Sequence, residues 1–82
     1  MKVSVKYFGA PMTKLGPTAS QYHLPADATV AKLLELIAAE LTEQERKLLT
    51  MTTCMVNGVM VKKEDPLQDG DEVYILFPLL GG

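Results

Sequence analysis

Gln68-Asp69-Gly70-Asp71-Glu72-Val73-Tyr74-Ile75-Leu76-Phe77 is the stretch on which the reading of this chain turns. Its first four residues have the chemistry of a tight turn, with glycine free to take a left-handed conformation. The six that follow form the least alternating and most apolar strand-like run in the sequence. A strand apolar on both faces belongs in the interior of a sheet, flanked on each side, rather than at an edge. The remaining elements must therefore pack around this segment. Upstream of it, Cys54-Met55-Val56 and Val59-Met60-Val61 flank Asn57-Gly58, the dipeptide best suited to the two positive-φ positions of a type I′ hairpin turn. At the other end of the chain, Lys2-Val3-Ser4-Val5-Lys6-Tyr7 alternates with period two and places Val3, Val5 and Tyr7 on one strand face. Gly9, Pro11, Gly16 and Pro17 punctuate a loop. Ser20-Gln21-Tyr22-His23-Leu24 then supplies an antiparallel partner strand that Pro25 ends.

Between these strand groups, Val30, Leu33, Leu34, Ile37, Ala38 and Leu41 recur at the spacing of one buried helical stripe. Thr29, or else Asp27, stands where an N-cap is wanted. Thr42-Glu43-Gln44-Glu45 is a capping box that opens a shorter helix toward Leu48 and Leu49. The predicted architecture is α+β: a mixed five-stranded sheet with one main helix across one face and a short second helix. The first and last strands, both central, run parallel as in the β-grasp, or ubiquitin-like, arrangement. Residues 1–77 form the domain and 78–82 an extended tail.

Composition narrows the function. Eighty-two residues, 48% apolar and 22% charged, describe one small globular domain rather than a disordered chain. The net charge is -2 and the basic residues are scattered, whereas nucleic-acid binding draws on clustered cations. No run of apolar residues is long enough to span a membrane. The single cysteine and the absence of an opening signal-type segment predict a cytoplasmic protein. One histidine and one cysteine cannot assemble a zinc site of the usual three or four His and Cys ligands. Cys54 reads as a core residue and His23 as a strand-surface residue. Ser4 and Ser20 lack a nucleophile-elbow pattern, and the glycines form no phosphate-cradling series.

The chemistry lies at the end of the chain. Phe77-Pro78-Leu79-Leu80-Gly81-Gly82 continues from the interior strand and closes on two glycines, a pairing that average glycine usage would produce by chance in roughly half a per cent of chains. Pro78 restricts the root of the tail, and five extended residues reach about 17 Å. A slim tail of this kind can thread a channel and present an ionised, sterically unhindered carboxylate. Attack of that carboxylate on the α-phosphate of ATP gives an acyl-adenylate, which can accept sulfur to form a thiocarboxylate or an amine to form an amide.

Asp65-Pro66-Leu67-Gln68-Asp69-Gly70-Asp71-Glu72-Val73, with Phe77-Pro78-Leu79-Leu80-Gly81-Gly82 after it, resembles the C-terminal half of the ThiS/MoaD family of ubiquitin-like sulfur carriers. Val56-Asn57-Gly58 resembles the hairpin just upstream in that family. The resemblance implies that Gly82 is adenylated by a ubiquitin-activating-type adenylyltransferase and converted to a thiocarboxylate by a sulfur donor. Gly81, Leu80, Leu79 and Pro78 would thread into the partner. The length and second helix resemble the MoaD branch, the small subunit of molybdopterin synthase, in which sulfur passes to a pterin beside a large catalytic subunit. No cofactor would be held tightly, since the activating partner uses the ATP, and the chain would not be an enzyme on its own. The tail departs from the branch's Phe-Pro-Pro pattern in having Phe77 at the first proline position and bulky Leu80 before Gly81. Transfer to a thiazole, a tungsten cofactor, cysteine or tRNA, and conjugation to other proteins, all use the same tail chemistry. Alternation within the last strand places Tyr74 and Leu76 opposite Val73, Ile75 and Phe77. Tyr74, Leu76 and Phe77 are the expected docking residues.

Overall fold

The computed structural model describes residues 1–8 and 21–77. Seven elements follow one another: β1 (Lys2–Phe8), β2 (Gln21–His23), α1 (Val30–Ala38), α2 (Glu43–Leu49), β3 (Thr53–Val56), β4 (Val59–Val61) and β5 (Glu72–Leu76). They form one five-stranded sheet in the order β2-β1-β5-β3-β4. The apolar last strand is central, as its composition predicts. It runs parallel to β1, with Val5 beside Val73 and Tyr7 beside Ile75, and antiparallel to β3. This is the ubiquitin-like β-grasp.

Alternation sorts the side chains. Val3, Val5, Tyr22, Cys54, Val73, Ile75 and Phe77 are buried with Val30, Leu33 and Ile37 of α1 in a single core. Leu33, Ile37 and Ile75 are wholly enclosed, and truncating such a residue to alanine costs about 2–5 kcal/mol. A domain of this size has only roughly 4–10 kcal/mol to lose.

The main helix is shorter than its apolar stripe. It ends at Ala38, and Leu41 reaches the core from the turn beyond it. Thr29 occupies the N-cap position without a side-chain cap bond. The first amides are met instead by a neighbouring segment: Val30 N–H donates to the Asp65 carbonyl at 3.0 Å and Ala31 N–H to that of Lys63 at 2.9 Å. The second helix follows its sequence signature. Glu45 N–H donates to Thr42 Oγ1 at 3.2 Å, and Thr42 N–H donates to the Glu45 carboxylate at 2.8 Å. Leu49 carries α2 into the core on the same side of the sheet as α1.

The hairpin turn is as predicted, with φ of 51° at Asn57 and 84° at Gly58. Asn57 has a second role. Its amide donates to Asp71 Oδ1 at 3.0 Å, and its side-chain oxygen accepts from Glu72 N–H at 3.0 Å. Asp71 is buried, and its other oxygen accepts from Gln68 N–H at 2.8 Å. The turn of one hairpin thereby fixes the start of the central strand. Asp69 accepts from Lys2 N–H at 2.7 Å, tying that turn to β1. Gly70 has φ of 87° and its N–H donates to the Lys2 carbonyl, so both residues lock the same junction.

Candidate functional site

The root of the tail is held firmly. Phe77 N–H donates to the Phe8 carbonyl at 2.9 Å, extending the parallel ladder one residue past β5. Its side chain is 7% exposed and belongs to the core. This corrects its expected role. Phe77 shares the buried face with Val73 and Ile75 rather than the open face with Tyr74 and Leu76. Pro78, Leu79, Leu80, Gly81 and Gly82 lie outside the described residues.

Tyr74 and Leu76 do point to the opposite face, where both are half-buried. The register supplies their neighbours. Tyr74 stands between Lys6 of β1 and Met55 of β3, and Met55 in turn faces Met60 of β4. Leu76 stands between Phe8 and Thr53. The rings of Phe8 and Tyr74 meet at 5.0 Å with a tilt of 59°, a favourable aromatic geometry. Phe8 and Met60 remain 45% and 57% exposed. Both described helices pack on the other side of the sheet, so among the described residues this face keeps a row of apolar side chains in contact with water.

Phe8, Met55 and Met60 were not singled out from the sequence as members of this surface. Phe8 follows Lys6 at the period of the first strand and could have been assigned to that face. Met55 and Met60 required the strand order, which brings the hairpin beside β5 rather than leaving it remote.

The chain's other reactive groups are occupied structurally. Cys54 is buried, and burial raises its thiol pKa despite the opposing charge of Lys63. His23 is exposed on β2. Among the described residues no three His, Cys, Asp or Glu side chains gather as a metal site, and no helix is long and apolar enough to cross a membrane. Tyr22 Oη donates to the Glu40 carboxylate at 2.9 Å. The nearby Tyr7 hydroxyl is buried without a hydrogen-bond partner of good geometry among the described residues. Burial pushes its pKa up to about 12, Tyr22 pulling the other way.

The described domain presents one apolar sheet face opposite its helices. Similar solved structures share this plan. Haloferax volcanii SAMP1 is 19% identical over the whole of both chains, with a TM-score of 0.80, a likeness of fold. A Pyrococcus furiosus protein provisionally assigned as molybdopterin converting factor subunit 1 is 29% identical over 95% of this chain and 98% of its own, with a TM-score of 0.79. The Helicobacter pylori complex of subunits 1 and 2 of molybdopterin-converting factor contains a chain 27% identical to this one, covering all of both, with a TM-score of 0.60. No curated protein sequence matches. The family model that matches spans residues 5–82, nearly the entire chain, and the protein belongs to the ThiS family.

Proposed function

We propose that this protein is a sulfur carrier of molybdenum cofactor assembly, acting as the small subunit of a molybdopterin synthase. The carrying observation is the continuity of the central strand with the tail. Phe77 is sealed in the core, and Pro78-Leu79-Leu80-Gly81-Gly82 follows at once, beside an apolar face suited to a protein partner. The likeness to molybdopterin converting factor subunit 1, at 29% identity over nearly full length, supports this acceptor among those the tail could serve.

On this reading the chemistry rests on the terminal carboxylate of Gly82 and on groups of the partner enzymes. A Gly82 carboxylate oxygen attacks the α-phosphate of ATP in a ubiquitin-activating-type adenylyltransferase, and pyrophosphate leaves. Hydrosulfide delivered by the donor then attacks the acyl carbon and displaces AMP, leaving a thiocarboxylate and a proton. Glycine at both final positions removes the side chains that would crowd these steps. In the large subunit, the thiocarboxylate delivers its sulfur to the pterin precursor, and hydrolysis restores the carboxylate for another cycle. Tyr74 and Leu76 contribute the centre of the docking face, with Phe8, Met55 and Met60 around them.

The test is intact-mass spectrometry of the chain purified anaerobically after co-expression with its activating enzyme and sulfur donor. The expected mass gain is one sulfur in place of one oxygen, localised to Gly82 and absent when Gly82 is deleted. A chain found only in amide linkage to lysines of other proteins would identify it as a protein modifier. The acceptor is tested by supplying the loaded carrier to a large synthase subunit with pterin precursor, where formation of the dithiolene is expected.

A further inference from the structure

Asn57 is the only asparagine of the chain, and a glycine follows it. The pair makes the turn between β3 and β4, both residues at positive φ. An asparagine before glycine is open to attack by its own main chain. The next peptide nitrogen is one bond from closing a five-membered ring on the side-chain carbon, and glycine has no side chain to hinder that approach.

The structure ties down both polar atoms of this amide. Asn57 Nδ2 donates to Asp71 Oδ1 at 3.0 Å, and Asn57 Oδ1 accepts from Glu72 N–H at 3.0 Å. The main-chain N–H of Asn57 also donates to the Glu72 carbonyl at 3.0 Å. Asp71 is buried; its second oxygen accepts from Gln68 N–H at 2.8 Å and its carbonyl from Ser4 N–H at 3.0 Å. One side chain therefore joins the turn to the start of the central strand and, by way of Asp71, to β1. Ring closure turns that side chain back onto its own following peptide and breaks both of its bonds. Glu72 N–H polarises the side-chain carbonyl and by itself favours attack, but the attack requires the carbonyl to leave this donor.

We propose that Asn57 is a modification site, a deamidation centre that the folded hairpin holds closed and that local opening exposes. The Gly58 nitrogen attacks Asn57 Cγ. A new C–N bond forms, the Cγ–Nδ2 bond breaks, and ammonia leaves with the proton of the Gly58 amide. Water then adds to either carbonyl of the cyclic imide, giving aspartate or isoaspartate. One water is consumed, one ammonia is released and nothing is oxidised. Both products damage the lock. Aspartate replaces the donor that faces Asp71 with a second carboxylate, beside a group that is already buried. Isoaspartate adds a main-chain carbon to a turn whose two positive φ values fit a two-residue loop. A chain that opens here is converted to one that closes less well, so the mark is one-way and reinforces itself.

Peptide mapping by mass spectrometry follows amide loss in the full-length chain, kept at mildly alkaline pH either folded or in guanidinium chloride. Loss at Asn57 is expected to be at least about tenfold slower in the folded chain, the ratio being set by the free energy of opening the turn. Asn57→Asp reproduces one product and should lower the folding equilibrium constant at least about tenfold in urea denaturation. Combining it with Asp71→Asn makes the carboxylate and amide trade places. All three side-chain hydrogen bonds of the lock can then form again, and most of the lost stability should return. This exchange remains informative where Asn57→Asp alone does not fold. The proposal is overturned if folded and denatured chains lose the amide at equal rates, or if Asn57→Asp is as stable as the native chain. It is equally overturned if the exchanged pair is no more stable than Asn57→Asp alone. None of these outcomes depends on what the chain's terminus carries.

Discussion

The two faces of the central strand differ in what surrounds them and therefore in what they can do. Val73, Ile75 and Phe77 join the core with the main helix and are closed off from water, whereas Tyr74 and Leu76, among the described residues, meet side chains of the sheet surface. Residues of similar hydrophobicity, one position apart, thus serve stability on one side and, on the proposed function, recognition on the other. Hydrophobicity alone does not distinguish the roles; position relative to the helices does. Phe77 shows this most clearly, because its aromatic ring would suit an interface but its register assigns it to the core.

Substitutions on the two faces should separate these roles. The largest effect is expected for Ile75→Ala, which leaves a cavity under α1 and should lower unfolding free energy by about 2–5 kcal/mol in urea denaturation. Next comes Tyr74→Lys on the open face. Its thermal midpoint should stay within a few degrees of the native chain's. Its affinity for the large subunit or the activating enzyme, measured by calorimetry, should fall about tenfold or more, as for a central aromatic in an interface. Equal loss of stability and affinity in both variants would erase the distinction.

The smallest effect belongs to Tyr7, at the boundary between core and solvent. Tyr7→Phe removes a buried hydroxyl that lacks a partner among the described residues and should change stability by less than about 1 kcal/mol, toward greater stability. The same group adds a pH dependence. Because the folded protein raises this phenol to about 12, its neutral form is favoured, and that contribution is complete below pH 10. Stability should decline as pH rises from 10 toward 12, and less steeply in Tyr7→Phe, when followed by circular dichroism.

Much of this organisation is visible in the residues themselves. Period-two alternation identifies the inward residues of β1, the helical stripe identifies the face of α1, and the Asn-Gly pair and capping box specify their local geometry. The apolar run at 72–77 indicates the central strand. Less accessible were features that depend on which distant segments meet. Thr29 looks like a capping residue, yet carbonyls of residues 63 and 65 do the capping. Asp69 has the chemistry of a turn residue, and its bond to Lys2 N–H depends on the approach of β1. The open apolar face is assembled from four strands, so no local pattern displays it.

The position of β5 also bears on force. A partner that pulls on the tail pulls along the axis of a strand bonded on both sides, in parallel to β1 and antiparallel to β3. Such a load is shared in shear across both ladders rather than opening one bond at a time, as it would at an edge strand. The domain can therefore bear a load applied beyond Phe77 without unravelling, as the proposed carrier role would require.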